Sequence, residues 1–331
     1  PPDADPARHA GTPVGERLRA LLAAAPDAVL GVQYRTDILR RTRLLRVAGG
    51  SVELAFDEGR ILAGERHVAV CELEIELKSG SPTAVIETAR RWVRRHGLWL
   101  DTRTKAERGE RLARELAITP ARNARPLRLS RDMSAERALR EVLRACNDQV
   151  LANAGPVAEG AFGPEHVHQL RVGLRRLRTA LRLFTGLTEV PPVADAATAL
   201  FRQLGATRDV DVLNAEFGAE LQAALVTAGV GGSAPLPAAA GEFEPGRVLR
   251  APATQALCLD LLAAGLEPPP DATPAAADDH AEARLRPRLA ERLNRWHRRA
   301  AAAARGVAEL DEAQRHQLRK RIKRLRYAVE F

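Results

Sequence analysis

The sequence contains one basic helical motif twice, and this duplication constrains the fold more than any other feature. The first copy, HQLRVGLRRLRTALRLF, covers residues 168–184, and the second copy, HQLRKRIKRLRYAVEF, covers residues 316–331. In both copies aliphatic residues recur at the spacing of an α-helix, which predicts one apolar face per helix. Basic residues recur at the same spacing and form a second face. We therefore predict a duplicated helical unit whose two cationic faces point to one place.

Acidic residues are missing from both basic stretches. None lies between His168 and Arg182, and none lies between His316 and Arg326. A solvated helix face usually alternates the sign of its charges, because opposite charges one turn apart stabilise a helix and like charges destabilise it. A solvated surface remains the alternative interpretation, but the same unfavourable pattern at two places favours a polyanionic ligand.

The overall composition agrees with an anionic partner and restricts its class. The chain has 331 residues, which is enough for two domains, and its formal net charge is +9. Aromatic residues make up only 4% of the chain, whereas proteins that bind single-stranded nucleic acid stack bases on aromatic rings. The three cysteines have no metal-like spacing, and neither a membrane-spanning apolar run nor a signal peptide is visible.

The clearest strand pattern covers residues 70–78, with the sequence VCELEIELK. Aliphatic residues alternate with Glu72, Glu74 and Glu76, so the three carboxylates lie on one face of the predicted strand. One interpretation is the outer, solvated face of an antiparallel sheet. The other is a site for Mg²⁺ or Mn²⁺, which prefer oxygen ligands.

Turn residues and hydrophobic period divide the chain into two parts. Residues 32–78 show the alternation of strands, with turns predicted at 49–50 and 58–59. A linker at 119–126 separates this part from one with the period of helices. We expect helices at 83–96 in the first part and at 194–204 in the second.

N-cap residues mark the starts of two further helices in the second part. Ser134 is the expected N-cap of one helix, because its hydroxyl can accept a hydrogen bond from the first turn. Asp311 and Gln314 have the spacing of a capping box before the second motif copy. Segments rich in proline, glycine and alanine at 229–246 and 268–279 are predicted to be loops.

Two short segments, LG at 204–205 and RDVD at 208–211, follow the first motif copy. Together with the two copies they make residues 126–331 resemble the CHAD family, the conserved-histidine α-helical domain. That resemblance implies two pseudo-symmetric four-helix bundles around a basic groove that binds inorganic polyphosphate. The second bundle is expected to be truncated, because nothing after residue 331 corresponds to 204–211. The implied polyphosphate-binding residues are His168, Arg171, Arg175, Arg176, Arg178, Arg182, His316, Arg319, Lys320, Lys323, Arg324, Arg326 and Tyr327.

The first part contains TDILR at 36–40, VELAFDEG at 52–59, AG at 63–64, CELEIELKSG at 71–80 and TKAERG at 104–109. With these segments it resembles the C-terminal half of the CYTH family, the triphosphate tunnel enzymes. The resemblance implies an antiparallel barrel in which Arg40 and Lys105 are catalytic residues that grip the substrate. Glu72, Glu74 and Glu76 would hold Mg²⁺ or Mn²⁺. The N-terminal Glu-x-Glu-x-Lys strand of that family is not in this sequence, so we expect this chain by itself to be inactive.

The complete expectation is an α+β chain of two domains. Residues 1–118 would form part of an antiparallel β-barrel, and residues 126–331 an all-α, pseudo-repeated four-helix-bundle domain. The helical domain would bind inorganic polyphosphate, and the complete barrel would hydrolyse triphosphate. The alternatives are a nucleic-acid-binding module or a structural polyanion-binding module without catalysis. The expected location is the cytoplasm, with polyphosphate granules as a candidate site, and no membrane partner is expected.

Overall fold

A computed structural model describes residues 5–27, 30–130, 133–205, 220, 222–229, 244–266 and 285–331. The RDVD segment at 208–211 lies outside the described residues, as does most of each predicted loop at 229–246 and 268–279. The described residues form a mixed α and β structure, with a three-stranded antiparallel sheet followed by a helical part.

The sheet is a meander of three consecutive strands. Strand β1 covers Arg35–Val47, β2 covers Gly50–Ala63 and β3 covers Arg66–Gly80, and they pair in the order β1-β2-β3. The middle strand carries the most buried residues, among them Val52 and Ile61, because it has a neighbour on each side. Whether these strands belong to a closed barrel stays a prediction.

The turn predicted at 58–59 is wrong, because β2 continues through both residues without a break. The chain turns instead after Ala63, where Gly64 adopts a φ of 58° that favours glycine. Gly59 serves another purpose in the strand. A Cβ atom there would lie 2.1 Å from the carbonyl oxygen of Asp37 on β1, so only glycine allows the two backbones to approach this closely.

Three helices accompany the sheet in the first part of the chain. Helix α1 covers Pro13–Ala23, α2 covers Thr83–His96 and α3 covers Lys105–Ala113. Helix α3 begins at a capping box, in which Thr104 and Glu107 each accept a hydrogen bond from the other's backbone N–H.

We label seven helices in the described ranges of the helical part. Their bounds are Ala135–Glu159 (α4), Pro164–Phe184 (α5), Ala194–Gln203 (α6), Pro245–Arg250 (α7), Pro252–Ala264 (α8), Leu285–Ala304 (α9) and Glu312–Val329 (α10). The two motif copies form α5 and α10, as the sequence predicts. The predicted N-cap Ser134 and the capping box of Asp311 and Gln314 are both present.

The largest core lies between α4 and α5. The apolar face predicted for the first motif copy is confirmed, because Leu170, Leu174, Leu177 and Leu181 are all buried there. Gly173 allows this close packing, since a Cβ atom at that position would lie 2.9 Å from a side-chain methyl of Val150 on α4.

The second motif copy packs less completely than the first. Leu318 is buried on α10, but Ile322 is 50% exposed and Val329 is 66% exposed. The apolar face is therefore present in both copies of the sequence and fully buried in only one. Helix α9 contacts the end of α5 through Arg292, which donates hydrogen bonds to the carbonyl oxygens of Leu183 and Thr185, each at 2.7 Å.

The described chain falls into two compact units, and the first of them consists of Pro1–Arg41, Phe56–Leu73 and Thr104–Ala117. The second unit consists of Thr42–Ala55, Glu74–Arg103 and Ile118–Phe331. Within the second unit, α2 packs on α8 through Ile86, Val93 and Leu259. The expected division at residues 1–118 and 126–331 stays a prediction.

Candidate anion-binding site

Helices α5, α6 and α10 surround one cavity of about 580 Å³ within the second unit, which we call the basic cavity. Nine arginine and lysine side chains line it, and none of the described lining residues is acidic. The lining residues are Arg171, Arg175, Arg178, Thr179, Arg182, Phe201, Arg202, His316, Arg319, Lys320, Lys323 and Arg324. The two motif copies thus present their basic faces to the same space.

An aromatic ring of α6 organises the arginines of α5. The guanidinium groups of Arg171, Arg175 and Arg178 lie 5.0, 5.2 and 5.2 Å from the centroid of the Phe201 ring. These distances are within the range of cation–π attraction, which partly offsets the repulsion among the three charges. Phe201 therefore holds three like charges close together on one helix face.

The C-terminal end of α6 fixes one of these arginines. Nη1 of Arg171 donates hydrogen bonds to the carbonyl oxygens of Leu204 and Gly205, at 3.2 and 3.1 Å. Carbonyl groups at the end of a helix have no partner within the helix and attract a cation. These hydrogen bonds hold the guanidinium in a defined position at the wall of the cavity.

Positive charges that line the basic cavity lower the pKa values of some of their neighbours. Burial lowers the pKa of the Lys323 ammonium, and the neighbouring Arg175, Arg319, Arg326 and Arg171 lower it further. Each of these effects disfavours the charged form, so a bound anion would relieve an unfavourable field.

Burial also lowers the pKa of the Arg178 guanidinium, and the charges of Arg182, Arg202 and Arg175 act in the same direction. Arginine nevertheless stays charged at any pH that proteins experience. The lowered pKa therefore reflects first the burial of this guanidinium and then the repulsion among neighbouring cations.

Four residues of the predicted binding set do not line the basic cavity. They are His168, Arg176, Arg326 and Tyr327. The other nine predicted residues do line it. Tyr327 is buried, and its hydroxyl oxygen lies 3.4 Å from Nη1 of Arg175, so it supports a lining residue. Arg326 is 63% exposed and lies near Glu330, with its guanidinium over the Tyr327 ring.

The structure places Arg176 outside the lining of the basic cavity. Its side chain is 4% exposed, and Nη1 donates a hydrogen bond to the carboxylate of Glu330 at 2.8 Å. The guanidinium also lies 5.1 Å from the centroid of the Phe331 ring. This arginine connects α5 to the end of α10 and does not face the cavity, because its position on α5 lies on the core side of the basic face.

Sequence reasoning missed three lining residues, Thr179, Phe201 and Arg202. Thr179 lies on α5 one position after Arg178, and its hydroxyl donates to the backbone carbonyl of Arg175. Phe201 and Arg202 lie on α6, outside both motif copies. Their only sequence signal is the LG segment at 204–205, which closely follows them.

A second group of charged residues lies within the first unit. Arg40 on β1 holds the buried Asp57 on β2 through two hydrogen bonds, from Nε at 2.7 Å and from Nη2 at 2.6 Å. Lys105, at the start of α3, forms ion pairs with both Asp57 and Glu72. Arg108 forms a further ion pair with Glu72. Two carboxylates are therefore neutralised by three basic side chains.

Asp57 was not among the predicted metal ligands, although it lies in the VELAFDEG segment. The Arg40 hydrogen bonds, aided by Lys105, lower the pKa of its carboxyl group to about 2. Of the predicted ligands, Glu72 is half-buried, whereas Glu76 is exposed. Glu76 forms an ion pair with Lys78 at 3.0 Å, an arrangement typical of the solvated face of a sheet.

The oxygen donors of Asp57 and Glu72, both in the first unit, lie close enough together to hold one metal ion, and they suit Mg²⁺ or Mn²⁺ chemically. Glu74, the remaining predicted ligand, belongs to the second unit. Asp57 and Glu72 each already pair with two basic side chains, and Lys105 contacts both of them. A metal ion would therefore have to share these oxygens with the Lys105 ammonium or displace it. Asp57 and Glu72 can hold such an ion when Lys105 and its neighbouring arginines bind a different anion, such as a phosphate.

Comparison with known proteins identifies the helical part. The model of the CHAD domain family matches residues 141–331, which is more than half of the chain. The chain therefore belongs to the CHAD domain family.

Two similar proteins accompany this family match. An inorganic triphosphatase from Haemophilus influenzae is 30% identical over 110 residues, which is 33% of this chain and 31% of that protein. The chain thus spans about a third of the length of the curated relative it matches. A crystal structure of the CHAD domain from the plant Ricinus communis has 29% sequence identity and a TM-score of 0.49, covering 64% of this chain and 70% of that chain.

Among the described residues, no helix combines the length and apolar character needed to cross a bilayer.

Proposed function

We propose that the basic cavity binds inorganic polyphosphate. The observation that supports this function most strongly is the lining of the cavity, where nine arginine and lysine side chains meet without an acidic neighbour among the described lining residues. A polymer with one negative charge per repeating unit neutralises several of these cations at once, which a single small anion cannot do.

The arrangement of the arginines suits phosphate oxygens in particular. A guanidinium group is planar, stays charged, and can donate two parallel hydrogen bonds to one phosphate. Arg171, Arg175 and Arg178 are already held by Phe201 and by α6. Contacts that hold side chains in a binding geometry before a ligand arrives reduce the conformational entropy that binding costs.

The aromatic content of the cavity argues against single-stranded nucleic acid. Among the described lining residues, Phe201 offers the only benzene ring, and three guanidinium groups lie around it. A base could stack on this ring only by displacing an arginine. Single-stranded nucleic-acid sites instead offer open aromatic faces to successive bases.

A titration with two matched variants tests this function. Arg175→Gln with Arg178→Gln should weaken polyphosphate binding by about 1–3 kcal/mol for each charge-assisted hydrogen bond that the substitutions remove. Arg94→Gln with Arg95→Gln removes the same charge from the exposed side of α2 and should change affinity by less than about 1 kcal/mol. An equal loss of affinity in both variants would show that only the net charge of the protein matters, and would refute the cavity as the binding site.

A competition experiment in the same assay separates polyphosphate from RNA. We expect polyphosphate to displace single-stranded RNA of equal charge, because the cavity offers guanidinium groups rather than open rings. Tighter binding of the RNA would favour the nucleic-acid alternative instead.

A second function is supported by the charged group on the sheet. We infer that in the whole protein Arg40, Lys105 and Arg108 bind the phosphates of inorganic triphosphate. Asp57 and Glu72 would then hold Mg²⁺ or Mn²⁺, which would act as a Lewis acid on the phosphoryl oxygens. The support is the pairing of these acids and bases within one unit, together with the similarity to an inorganic triphosphatase.

Phosphate release from inorganic triphosphate by the whole protein tests this second function. Glu72→Gln should remove most of the metal-dependent rate, because it removes a hard anionic ligand and keeps the shape of the side chain. Glu76→Gln changes an exposed carboxylate of the same strand and is the matched control. A normal rate in Glu72→Gln, or an equal decrease in both variants, would contradict this role for Glu72.

A further inference from the structure

The two motif copies differ at one position that controls how closely two helices pack. Gly173 on α5 corresponds to Arg321 on α10 when the copies are aligned from His168 and His316. The close approach of α4 to α5 at Val150 requires the glycine. Arg321 places a long side chain at the equivalent point, so the preceding helix α9 cannot pack on α10 in the same manner.

A cavity of about 520 Å³ lies between α9 and α10 at this position. We call it the α9–α10 cleft. Its lining combines three guanidinium groups with an indole ring and two methyl groups, contributed by Trp296, Arg299, Ala302 and Ala303 of α9 and by Arg321 and Arg324 of α10. Half of its lining residues are therefore cationic and the other half are apolar.

A second difference between the copies concerns charge. Arg324 corresponds to Arg176 in the aligned copies. Arg176 is buried and neutralised by Glu330, whereas the charged groups acting on Arg324 are Arg182, Arg178 and Arg321, all of the same sign. The guanidinium of Arg324 lies 6.0 Å from the centroid of the Trp296 ring. The position that forms an internal ion pair in the first copy thus adds positive charge to the cleft in the second.

We propose that the α9–α10 cleft binds a nucleoside phosphate. Arg299 and Arg321 receive the phosphate groups, because guanidinium groups bind phosphate oxygens through paired hydrogen bonds. The base lies against Trp296 and the methyl groups of Ala302 and Ala303, since a base has an apolar π-face that stacks on aromatic rings. Inorganic phosphate chains have no such face and gain nothing from the apolar half of the lining.

The cleft and the basic cavity are separate but adjacent. Arg324 lines both of them, whereas Arg299 and Arg321 line only the cleft and Arg175 and Arg178 line only the basic cavity among the residues described for each. Variants of the two unshared pairs therefore test the two sites independently. A failure of nucleotide binding would leave the polyphosphate proposal intact, and the reverse also holds.

Calorimetric titration of ATP and of inorganic triphosphate tests the cleft. The Arg175→Gln, Arg178→Gln variant is used as the background, because it weakens anion binding in the basic cavity. In this background we expect ATP to bind more tightly than triphosphate. Adding Trp296→Leu should weaken ATP binding about tenfold and leave triphosphate binding unchanged, whereas Trp296→Phe, which keeps a ring, should retain most of the ATP affinity.

A charge variant completes the test. Arg299→Gln with Arg321→Gln should weaken ATP binding at least about tenfold, and in the otherwise unaltered protein it should leave polyphosphate affinity within about twofold of normal. The proposal is overturned if ATP and triphosphate bind equally, if Trp296→Leu leaves ATP affinity unchanged, or if the charge variant does not weaken ATP binding.

Discussion

The equivalent arginines Arg176 and Arg324 of the two motif copies make different contacts, and the difference depends on Glu330. Arg176 and Arg324 occupy the same position in the repeat, yet the buried Arg176 forms an ion pair with the partly exposed Glu330. Removing one partner of a buried ion pair is costly, because the remaining charge stays in a poorly solvated place. At the residue scale this pair therefore separates a structural arginine from the arginines that line the basic cavity.

Glu330→Gln should lower the free energy of unfolding by about 1–3 kcal/mol. The cost is smaller than for a fully buried pair because the Glu330 side chain is 39% exposed. Urea denaturation measures it, with Glu189→Gln as a control outside the core that we expect to stay within about 0.5 kcal/mol of the unaltered protein. Equal stability of both variants would show that the Arg176 ion pair contributes nothing.

Asp57 gives a prediction about pH. The pKa of its carboxyl group falls from 3.8 to about 2 on folding, chiefly through Arg40. A group whose pKa is lowered by folding stabilises the protein above its unfolded pKa, and this stabilisation disappears as the pH falls through the folded value. Asp57→Asn should therefore be destabilising at neutral pH and nearly neutral in effect near pH 2.

The neutral-pH cost of Asp57→Asn should be at most about 2 kcal/mol, and solvent screening reduces it because Arg40 is 47% exposed. Urea midpoints of both proteins, measured without metal ions between about pH 7 and pH 2, provide the comparison. A stability difference that does not shrink as the pH falls from the unfolded to the folded pKa would contradict the ion pair as its source.

Features that depend on residues close together in sequence were predicted better than contacts between residues that are distant in sequence. The basic faces of α5 and α10 follow from helical spacing, and most of the binding residues that the CHAD resemblance implies line the cavity. The inward position of Arg176 depends on a carboxylate 154 residues further along the chain, which no local pattern indicates. Asp57 and Phe201 were missed for the same reason, since their partners belong to other strands and helices.

At the scale of elements, the two motif helices show how one pattern can have two packing outcomes. Leu174 on α5 and Ile322 on α10 are equivalent in the repeat. Leu174 is fully buried against the α4 core, whereas Ile322 is 50% exposed. The apolar face of a helix stabilises the fold only to the extent that another element covers it.

This pair of positions predicts unequal mutational costs. Leu174→Ala should reduce the free energy of unfolding by about 2–5 kcal/mol, because it leaves a cavity in a packed core. Ile322→Ala should cost less than about 1 kcal/mol, since half of the side chain already contacts water. Thermal or urea denaturation of the two variants checks the contrast, and equal costs would contradict the looser packing of α10.

Local signals located the helix ends more reliably than they located the strand turns. The caps at Ser134 and Asp311 were predicted, because a capping side chain bonds to a backbone group three residues away. The turn expected at Gly59 was wrong because glycine also serves where two backbones approach closely. Such an approach depends on the neighbouring strand, which the sequence pattern of one strand does not reveal.

At the scale of the molecule, much of the unbalanced positive charge lies in the basic cavity. The chain carries a net charge of +9, and nine of its basic side chains line a single cavity in the second unit. In the first unit the bases Arg40, Lys105 and Arg108 are balanced by acids. The unbalanced cavity is therefore the part of this CHAD-family chain that we expect to dominate its binding of polyanions.

The dependence of polyphosphate affinity on salt tests this central claim most directly. Binding that neutralises several phosphates makes log K fall linearly with log salt, by about 0.7 per phosphate for single-stranded nucleic acids. We predict a steep slope for the unaltered protein, a slope smaller by roughly 1–1.5 for Arg175→Gln with Arg178→Gln, and an unchanged slope for Arg94→Gln with Arg95→Gln. A shallow slope for the unaltered protein, or one that the cavity variant does not reduce, would contradict polyphosphate binding in the basic cavity.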